Sequence, residues 1–327
     1  MRRNVVLLVM LLGIVLPGIL FDQNRKMNTI EPKTENSSVE SELAFSINVK
    51  DHGQVTRMEL EDYIIGVVLG EMPANFEIEA LKAQAVAART YALRKISKQS
   101  KHEDADVCTD AGCCQAYVNR IDYLSSKGTE DDFEKVAQAV RSTASQVLTY
   151  QGELIEATYF SCSGGMTEDA VAVWGTSVPY LESVSSPGEN QAKRYETESV
   201  FTVNEFLSLL GVSTSNILAE DDLQFTYTDG NGVESMTLYG MRITGTQVRK
   251  RLNLPSTAFS VTVDGDQVII LSKGYGHRVG MSQYGADAMA VNGSTYKEIL
   301  FHYYKGVSFI QLTEEQLKGI FDKEENL

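Results

Sequence analysis

The first long uncharged run of the chain, Val5 to Phe21, is seventeen residues long and follows Arg2 and Arg3. That length is at the short end for crossing a bilayer but sufficient. Arginines in front of the run hold that end in the cytoplasm. The pattern predicts a cytoplasmic stub and transmembrane anchor over residues 1–21, with everything after it outside the cytoplasm. A cleaved secretory signal is the competing reading; no small-x-small site is evident before Asp22, and both readings export the rest of the chain. Residues 22–43 are polar and short of large apolar side chains, as a flexible linker is.

Alternation over residues 44–49 predicts a first strand. Apolar positions at helical spacing predict helices over about 58–72 and 77–98, the first ended by Pro73. A further helix is expected at 131–143, then strands at 146–150 and 154–160. Residues 195–255 change texture, with short helices at 203–210 and 246–252 around a strand near 235–239, and read as a small inserted lobe. A hairpin follows at 261–270, with Asp264 and Gly265 at its turn. A glycine-rich segment (274–285), a helix at 296–304 and a polar tail over 313–327 close the chain. No internal repeat is present. The order of elements predicts an α+β fold: one main globular domain over 44–312 carrying the lobe, preceded by the N-terminal transmembrane helix.

One carboxylate stands on the wrong face of its helix. Leu60, Ile64, Val67 and Val68 form an apolar stripe, and Glu71 continues it into the last turn. Lost water and the partial negative charge of the helix C-terminus both disfavour the ionised form there. A carboxyl kept protonated near neutral pH is what a general acid requires. On the next helix Ile78, Leu81, Ala85, Ala88 and Ala92 make a narrow stripe of mostly small residues, which allows close approach.

The net charge of −15 argues against nucleic acid or anionic lipid as a partner. Three of the four cysteines fall in a loop in which His102, Cys108 and Cys114 are spaced six residues apart. An imidazole and two thiolates suit zinc, with Cys113, Cys162 or water as the fourth ligand. Four cysteines in an exported domain also suit two disulfides, and spacing leaves both readings open. Tyr159 to Gly165 and Gly274 to Gly285 mix glycine with hydroxyl, amide, imidazole and aromatic groups, a combination that suits sugars. Neither the dinucleotide-loop context, nor a Gly-x-Ser-x-Gly serine, nor His-Glu-x-x-His is present.

Taken together these segments resemble the stage II sporulation protein D family. The resemblance rests on Gly70-Glu71-Met72-Pro73-Ala74-Asn75-Phe76 continued through Glu79 to Tyr91, on Tyr159 to Gly165, on Gly280 to Ala286, and on Tyr296 to Tyr304. It extends over about 45–312. It implies a lytic transglycosylase acting on peptidoglycan during engulfment of the forespore, with Glu71 as its catalytic acid. It also implies zinc on His102, Cys108 and Cys114, here read as structural. Tyr159, Ser161, Ser163, Gly164, His277, Gln283 and Tyr284 are the expected sugar-binding residues. Two positions depart from the family pattern: Arg278 stands in place of a glycine and would narrow the cleft, and Cys162 replaces a serine or threonine.

The resemblance further implies an amidase that strips peptides from the glycan first, a polytopic membrane partner, and a place in the mother-cell membrane facing the engulfment space. Related amidase enhancers make a non-catalytic glycan-binding module the alternative. A hydrolase would need a second carboxylate, for which Asp62, Glu168 and Asp169 are the candidates.

Overall fold

The computed structural model describes residues 45–98, 101–126, 128–214 and 217–321. The expected anchor and almost all of the linker lie outside them, and no helix among the described residues is long and apolar enough to cross a membrane. β1 (Ser46–Asp51) and β2 (Gln54–Glu59) form a hairpin that turns through His52 and Gly53, and β2 runs directly into α1 (Leu60–Glu71). α1 is buried from Tyr63 through Leu69, so the expected one-sided stripe is instead a helix enclosed on nearly every side. α2 (Ile78–Ser97) runs through the main core, and its alanines let α1, α4 (Glu130–Arg141) and β4 (Gln146–Tyr150) pack against it. Between them lie β3 (Val107–Cys108), parallel to β1, and the short α3 (Arg120–Ser126). Thr129 and Asp132 cap α4 reciprocally, each side chain accepting the other's backbone N–H.

Arg89 ties these pieces together. Its side chain is fully buried on α2 and grips Glu61 of α1 through Nε (2.9 Å) and Nη2, while Nη1 donates to the Gln146 carbonyl (3.2 Å). A forked guanidinium grips a carboxylate with two donors in one plane and keeps others for a carbonyl, a fixed geometry that a lysine ammonium lacks.

Beyond β4 the chain forms β5 (Glu153–Leu154), β6 (Tyr159–Phe160) and α5 (Ala170–Trp174); the continuous strand expected at 154–160 is broken between β5 and β6. The lobe follows: β7 (Glu196–Thr202), α6 (Val203–Leu210), β8 (Leu223–Tyr227), β9 (Val233–Leu238), β10 (Met241–Thr244), α7 (Gly245–Leu252), β11 (Ala258–Asp264) and β12 (Gln267–Lys273). Its sheets run β10-β9-β8 and β11-β12-β7. They enclose a second core around Phe206, Met236, Val268 and Ile270. The lobe is therefore longer than the change of texture at 195–255 indicates, because the hairpin pairs with β7 and closes the same core. Its turn is Gly265–Asp266, since Asp264 still pairs with Gln267.

The chain then returns to the main core with β13 (Met281–Ser282), parallel to β6, then α8 (Gln283–Val291), α9 (Tyr296–Tyr303) and β14 (Ser308–Gln311), which pairs with β4. The segment expected as a polar tail is, up to Phe321, a helix: α10 (Glu314–Phe321) buries Leu317 and sets the Phe321 ring 4.2 Å from Phe45.

Removing Arg89 leaves the Glu61 carboxylate without its cation in a largely dry site. Arg89→Ala is expected to cost about 3–5 kcal/mol of stability, read from urea unfolding of purified protein.

Candidate functional site

The site is built where a loop crosses α1. Gly66 and Gly70, one turn apart, remove two side chains from the same face, and residues 115–118 lie in the groove that results. A Cβ on Gly70 would stand 2.8 Å from the Tyr117 nitrogen and 2.9 Å from the Ala116 carbonyl carbon. The Val118 N–H donates to the Gly66 carbonyl (3.0 Å), and the Ala116 N–H donates to Glu71 Oε1 (2.9 Å). Met72, extended before Pro73, ends the helix with Glu71 as its last residue. Burial raises the Glu71 carboxyl above the ordinary glutamate range; the Ala116 N–H and the Gln283 amide pull the other way and do not cancel it. Gln283, at the start of α8, faces this carboxyl although its Nε2 completes no hydrogen bond.

Glu71 lines a cleft of about 880 Å³, within the range of small-molecule sites. Of the residues expected around it, Tyr159, Ser161, His277 and Gln283 share that lining. The parallel pairing of β6 with β13, Tyr159 opposite Met281, joins the two glycine-containing segments there. The Tyr159 hydroxyl accepts from Gln115 Nε2 (2.6 Å). The Val279 N–H donates to His277 Nδ1 (3.1 Å), so the imidazole carries its proton on Nε2. Burial, and secondarily the Arg249 charge, pushes the His277 pKa down to about 4, leaving the ring neutral at neutral pH.

Ser163, Gly164 and Tyr284 are not in the lining. Ser163 is fully buried and donates to Glu189 Oε2 (2.8 Å), which also accepts the Ser163 and Gly164 N–H groups. Gly164, at φ +78°, lets this turn press against the Lys273–Gly274 backbone. Tyr284 packs edge-on against Phe76, 4.9 Å between centroids. Gln115, Trp174 and Glu156, none of them expected, do line the cleft, as does Tyr275 of the glycine-rich segment. The helical Gly-x-x-x-Gly at Gly66 and Gly70 was the signal for the crossing loop, and hence for Gln115.

Arg278 does not narrow the cleft. It sits at φ +66°, a conformation natural to glycine, and its guanidinium is buried away from the lining. It donates to Glu168 Oε1 (3.0 Å) and to the carbonyls of Ser163 (2.8 Å), Met166 (2.8 Å) and Gly230 (2.6 Å). Burial opposes the charge on both partners of this pair. Of the expected second carboxylates, Glu168 is thus consumed, Asp169 caps α5 by accepting the Val171 N–H, and Asp62 is exposed on α1. Glu156 does line the cleft, paired with Arg94 (3.3 Å) and Lys95 (3.5 Å).

Beside the cleft, His102, Cys108, Cys113 and Cys114 bring their ligand atoms within 4.8 Å of one another. Cys113 Sγ and Cys114 Sγ lie 3.7 and 3.6 Å from His102 Nε2. A tetrahedral first-row ion with ordinary M–S and M–N bonds imposes an S···N edge of about 3.6 Å, so the set fits one. Cys113 completes the cluster; Cys162 is elsewhere, buried with its Sγ toward the Arg194 carbonyl (3.6 Å). None of the four cysteines is in a disulfide. As a free thiol Cys114 is pushed up to about 12, by burial first; a bound cation supplies the charge that thiolates need. Cys114 also lines the cleft and stands two residues before Ala116.

The structure is thus an α+β domain with one buried carboxyl in an amide- and aromatic-lined cleft, beside a three-cysteine, one-histidine cluster. The chain belongs to the stage II sporulation protein D family. The family model described as stage II sporulation protein matches residues 48–150. The chain is 39% identical over 256 residues to stage II sporulation protein D of Bacillus subtilis (strain 168), covering 77% of this chain and 74% of that one. It is 37% identical over 274 residues to the protein of the same name from Bacillus amyloliquefaciens, covering 82% and 79%. The amidase enhancer of Bacillus subtilis (strain 168) is 32% identical over 296 residues, 74% of this chain and 39% of that one.

A methyl group on Gly70 must displace the 116–117 backbone and with it the hydrogen bond to Glu71. Gly70→Ala is expected to lower stability by about 1–3 kcal/mol, measured by thermal unfolding.

Proposed function

We propose that the chain is a lytic transglycosylase that cuts the bond between N-acetylmuramic acid and N-acetylglucosamine in peptidoglycan during sporulation, with Glu71 as general acid and then base. The observation that carries the reading is the pair of carboxylates lining the cleft among the described residues. Glu156 is held by two cations, while Glu71 has none and is kept toward its neutral form by burial. One free carboxyl is insufficient for the two-carboxylate hydrolysis of sugars and sufficient for intramolecular transfer. Glu71 gives its proton to the glycosidic oxygen as the C1–O bond breaks. The resulting carboxylate takes the proton of the muramic acid 6-hydroxyl as O6 bonds to C1. The product ends in a 1,6-anhydro sugar, no water is consumed, and Glu71 is protonated again. The attacking hydroxyl belongs to the substrate and needs only orientation.

In this reading zinc is held by His102, Cys108, Cys113 and Cys114 and supplies a cross-link, not a reacting group. Its part is to fix the segment that carries Cys114 to Ala116, whose N–H holds Glu71 in place. The domain works outside the cytoplasm behind an N-terminal anchor, on strands from which an amidase has removed the peptides, alongside a polytopic membrane partner. The similarity to the amidase enhancer favours a second reading, a non-catalytic glycan-binding module that stimulates such an amidase.

Full-length chain incubated with peptide-free glycan strands is expected to release products ending in 1,6-anhydromuramic acid, identified by mass. Glu71→Gln is expected to abolish release and keep binding. Products one water heavier overturn the transfer mechanism, and strands bound but uncut by the wild type favour the binding module. Because the working form is protonated and burial raises its pKa, activity is lost as pH rises through that pKa. The falling limb is expected above the ordinary glutamate range.

Metal content separates the ligands. Purified wild type and Cys162→Ser are expected to carry equal zinc by atomic emission, and Cys113→Ser to bind it at least tenfold more weakly in chelator competition.

A further inference from the structure

Among the described residues, the lobe from β7 to β12 gives the Glu71 cleft no lining residue, yet it presses on the cleft wall from behind. Trp174 and His277, with ring centroids 5.7 Å apart, stand side by side in that wall. Trp174 ends α5, whose cap Asp169 directly follows Glu168, and His277 directly precedes Arg278. The two segments are joined there. The Glu168 N–H donates to the Arg278 carbonyl (2.5 Å), and Glu168 bridges to Val279 in parallel register.

The side chains repeat this connection and extend it into the lobe. Arg278 donates to Glu168 Oε1 (3.0 Å) and, through Nη2, to the Gly230 carbonyl in the β8–β9 turn (2.6 Å). Thr228, in the same turn, gives its hydroxyl to Glu168 Oε1 (2.9 Å). Arg278 and Glu168 are each 1% exposed. The fit leaves no slack on the lobe side. A Cβ on Gly232 would collide with Glu168 Oε1, and one on Gly230 with the Thr167 carbonyl oxygen.

Two further observations separate this joint from simple packing. Arg278 stands where the family pattern has glycine, and its φ of +66° is one that glycine adopts without strain. The guanidinium is thus an addition to a turn that needs no side chain. Meanwhile Ala170 is the one buried residue of the five in α5. So short a helix gains little hold from its own packing, and its anchored Glu168 end sets where Trp174 points.

We propose that Arg278 is a positioning residue: through Glu168 it fixes α5, and so the Trp174–His277 wall, and makes that wall depend on the docked lobe. The inference rests on the reading of the cleft as a glycan site and adds the part that the lobe plays in it. Glu71 takes its contacts from α1, the Ala116 N–H and Gln283, and none from this joint. The joint therefore serves substrate affinity rather than the acid.

The chain has a single tryptophan, so its emission reports on this wall. Full-length Arg278→Gly is expected to remain folded and to raise acrylamide quenching of Trp174 at least twofold. On peptide-free strands its KM is expected to rise at least fivefold, with kcat within twofold of wild type. Gly232→Ala, made from the lobe side, is expected to produce the same two changes, and the double variant no more than the larger single effect. Thr228→Val is expected to show both changes in smaller measure, and decides the matter if Arg278→Gly does not fold. A folded Arg278→Gly with wild-type quenching and KM overturns the assignment. So does a fall in kcat with quenching unchanged, the mark of a merely structural loss. Additive effects of Arg278→Gly and Gly232→Ala overturn the lobe's part. If wild type cuts strands and the variants match it, only this assignment falls. If wild type binds strands without cutting, weaker binding by heat together with raised quenching supports the positioning role while the cleavage reading falls.

Discussion

The structure of the site depends on how closely one backbone can approach a helix. At Gly66 and Gly70 the 115–118 segment lies where side chains would otherwise stand, close enough for Val118 to bond the helix backbone and for Ala116 to reach Glu71. That contact partly dries the carboxyl, gives it one fixed donor, and carries Gln115 and Cys114 to the cleft wall. The acid is thus tuned by the same packing that positions it. The cysteine–histidine cluster sits at the other end of this short crossing, where a cation would tie the loop to itself just before it meets the helix.

Around that contact the molecule spends buried charge on holding pieces together. Arg89 joins α2 to α1 and to the start of β4 through Glu61 and the Gln146 carbonyl. Arg278 performs a similar task between the main domain and the lobe, reaching Glu168, two carbonyls in the 163–166 turn and the Gly230 carbonyl of the lobe. Each guanidinium is fully enclosed and shares its donors between a carboxylate and backbone oxygens. Such an arrangement offsets the cost of removing the charge from water and specifies one geometry. The left-handed conformation at Arg278 is tolerated because these bonds over-determine its position.

Polar residues near a cleft therefore divide into two kinds. Glu189, Ser163 and Ser186 form a closed network under the 163–165 turn, with Ser186 in turn bonded to the Tyr303 hydroxyl (2.6 Å). All their hydrogen-bonding capacity goes into shape. Gln115 and Gln283 keep one atom each unsatisfied, and Trp174 keeps its ring uncovered. Unmet capacity, rather than residue type, sets these groups apart from the closed network.

Local pattern alone determined much of this protein. Periodicity and Pro73 place α1 and α2 to within a few residues and put Glu71 in the final turn, because those signals act over one or two turns of chain. Four ordered motifs carry the family, and His102, Cys108 and Cys114 point to a cluster. Long-range packing decided the rest. Which cysteine joins the cluster depends on how the loop folds back, and spacing favoured Cys113 no more than Cys162. Ser163 and Ser161 look alike in sequence, yet the chain leaves β6 after Phe160 and turns at Gly164, so that Ser161 enters the cleft and Ser163 faces Glu189. The lobe reaches Lys273 because β12 pairs with β7 across sixty-five residues of chain, from Thr202 to Gln267. Burial, orphaned amide atoms and the facing of a side chain arise only when distant segments meet, and no local pattern encodes them.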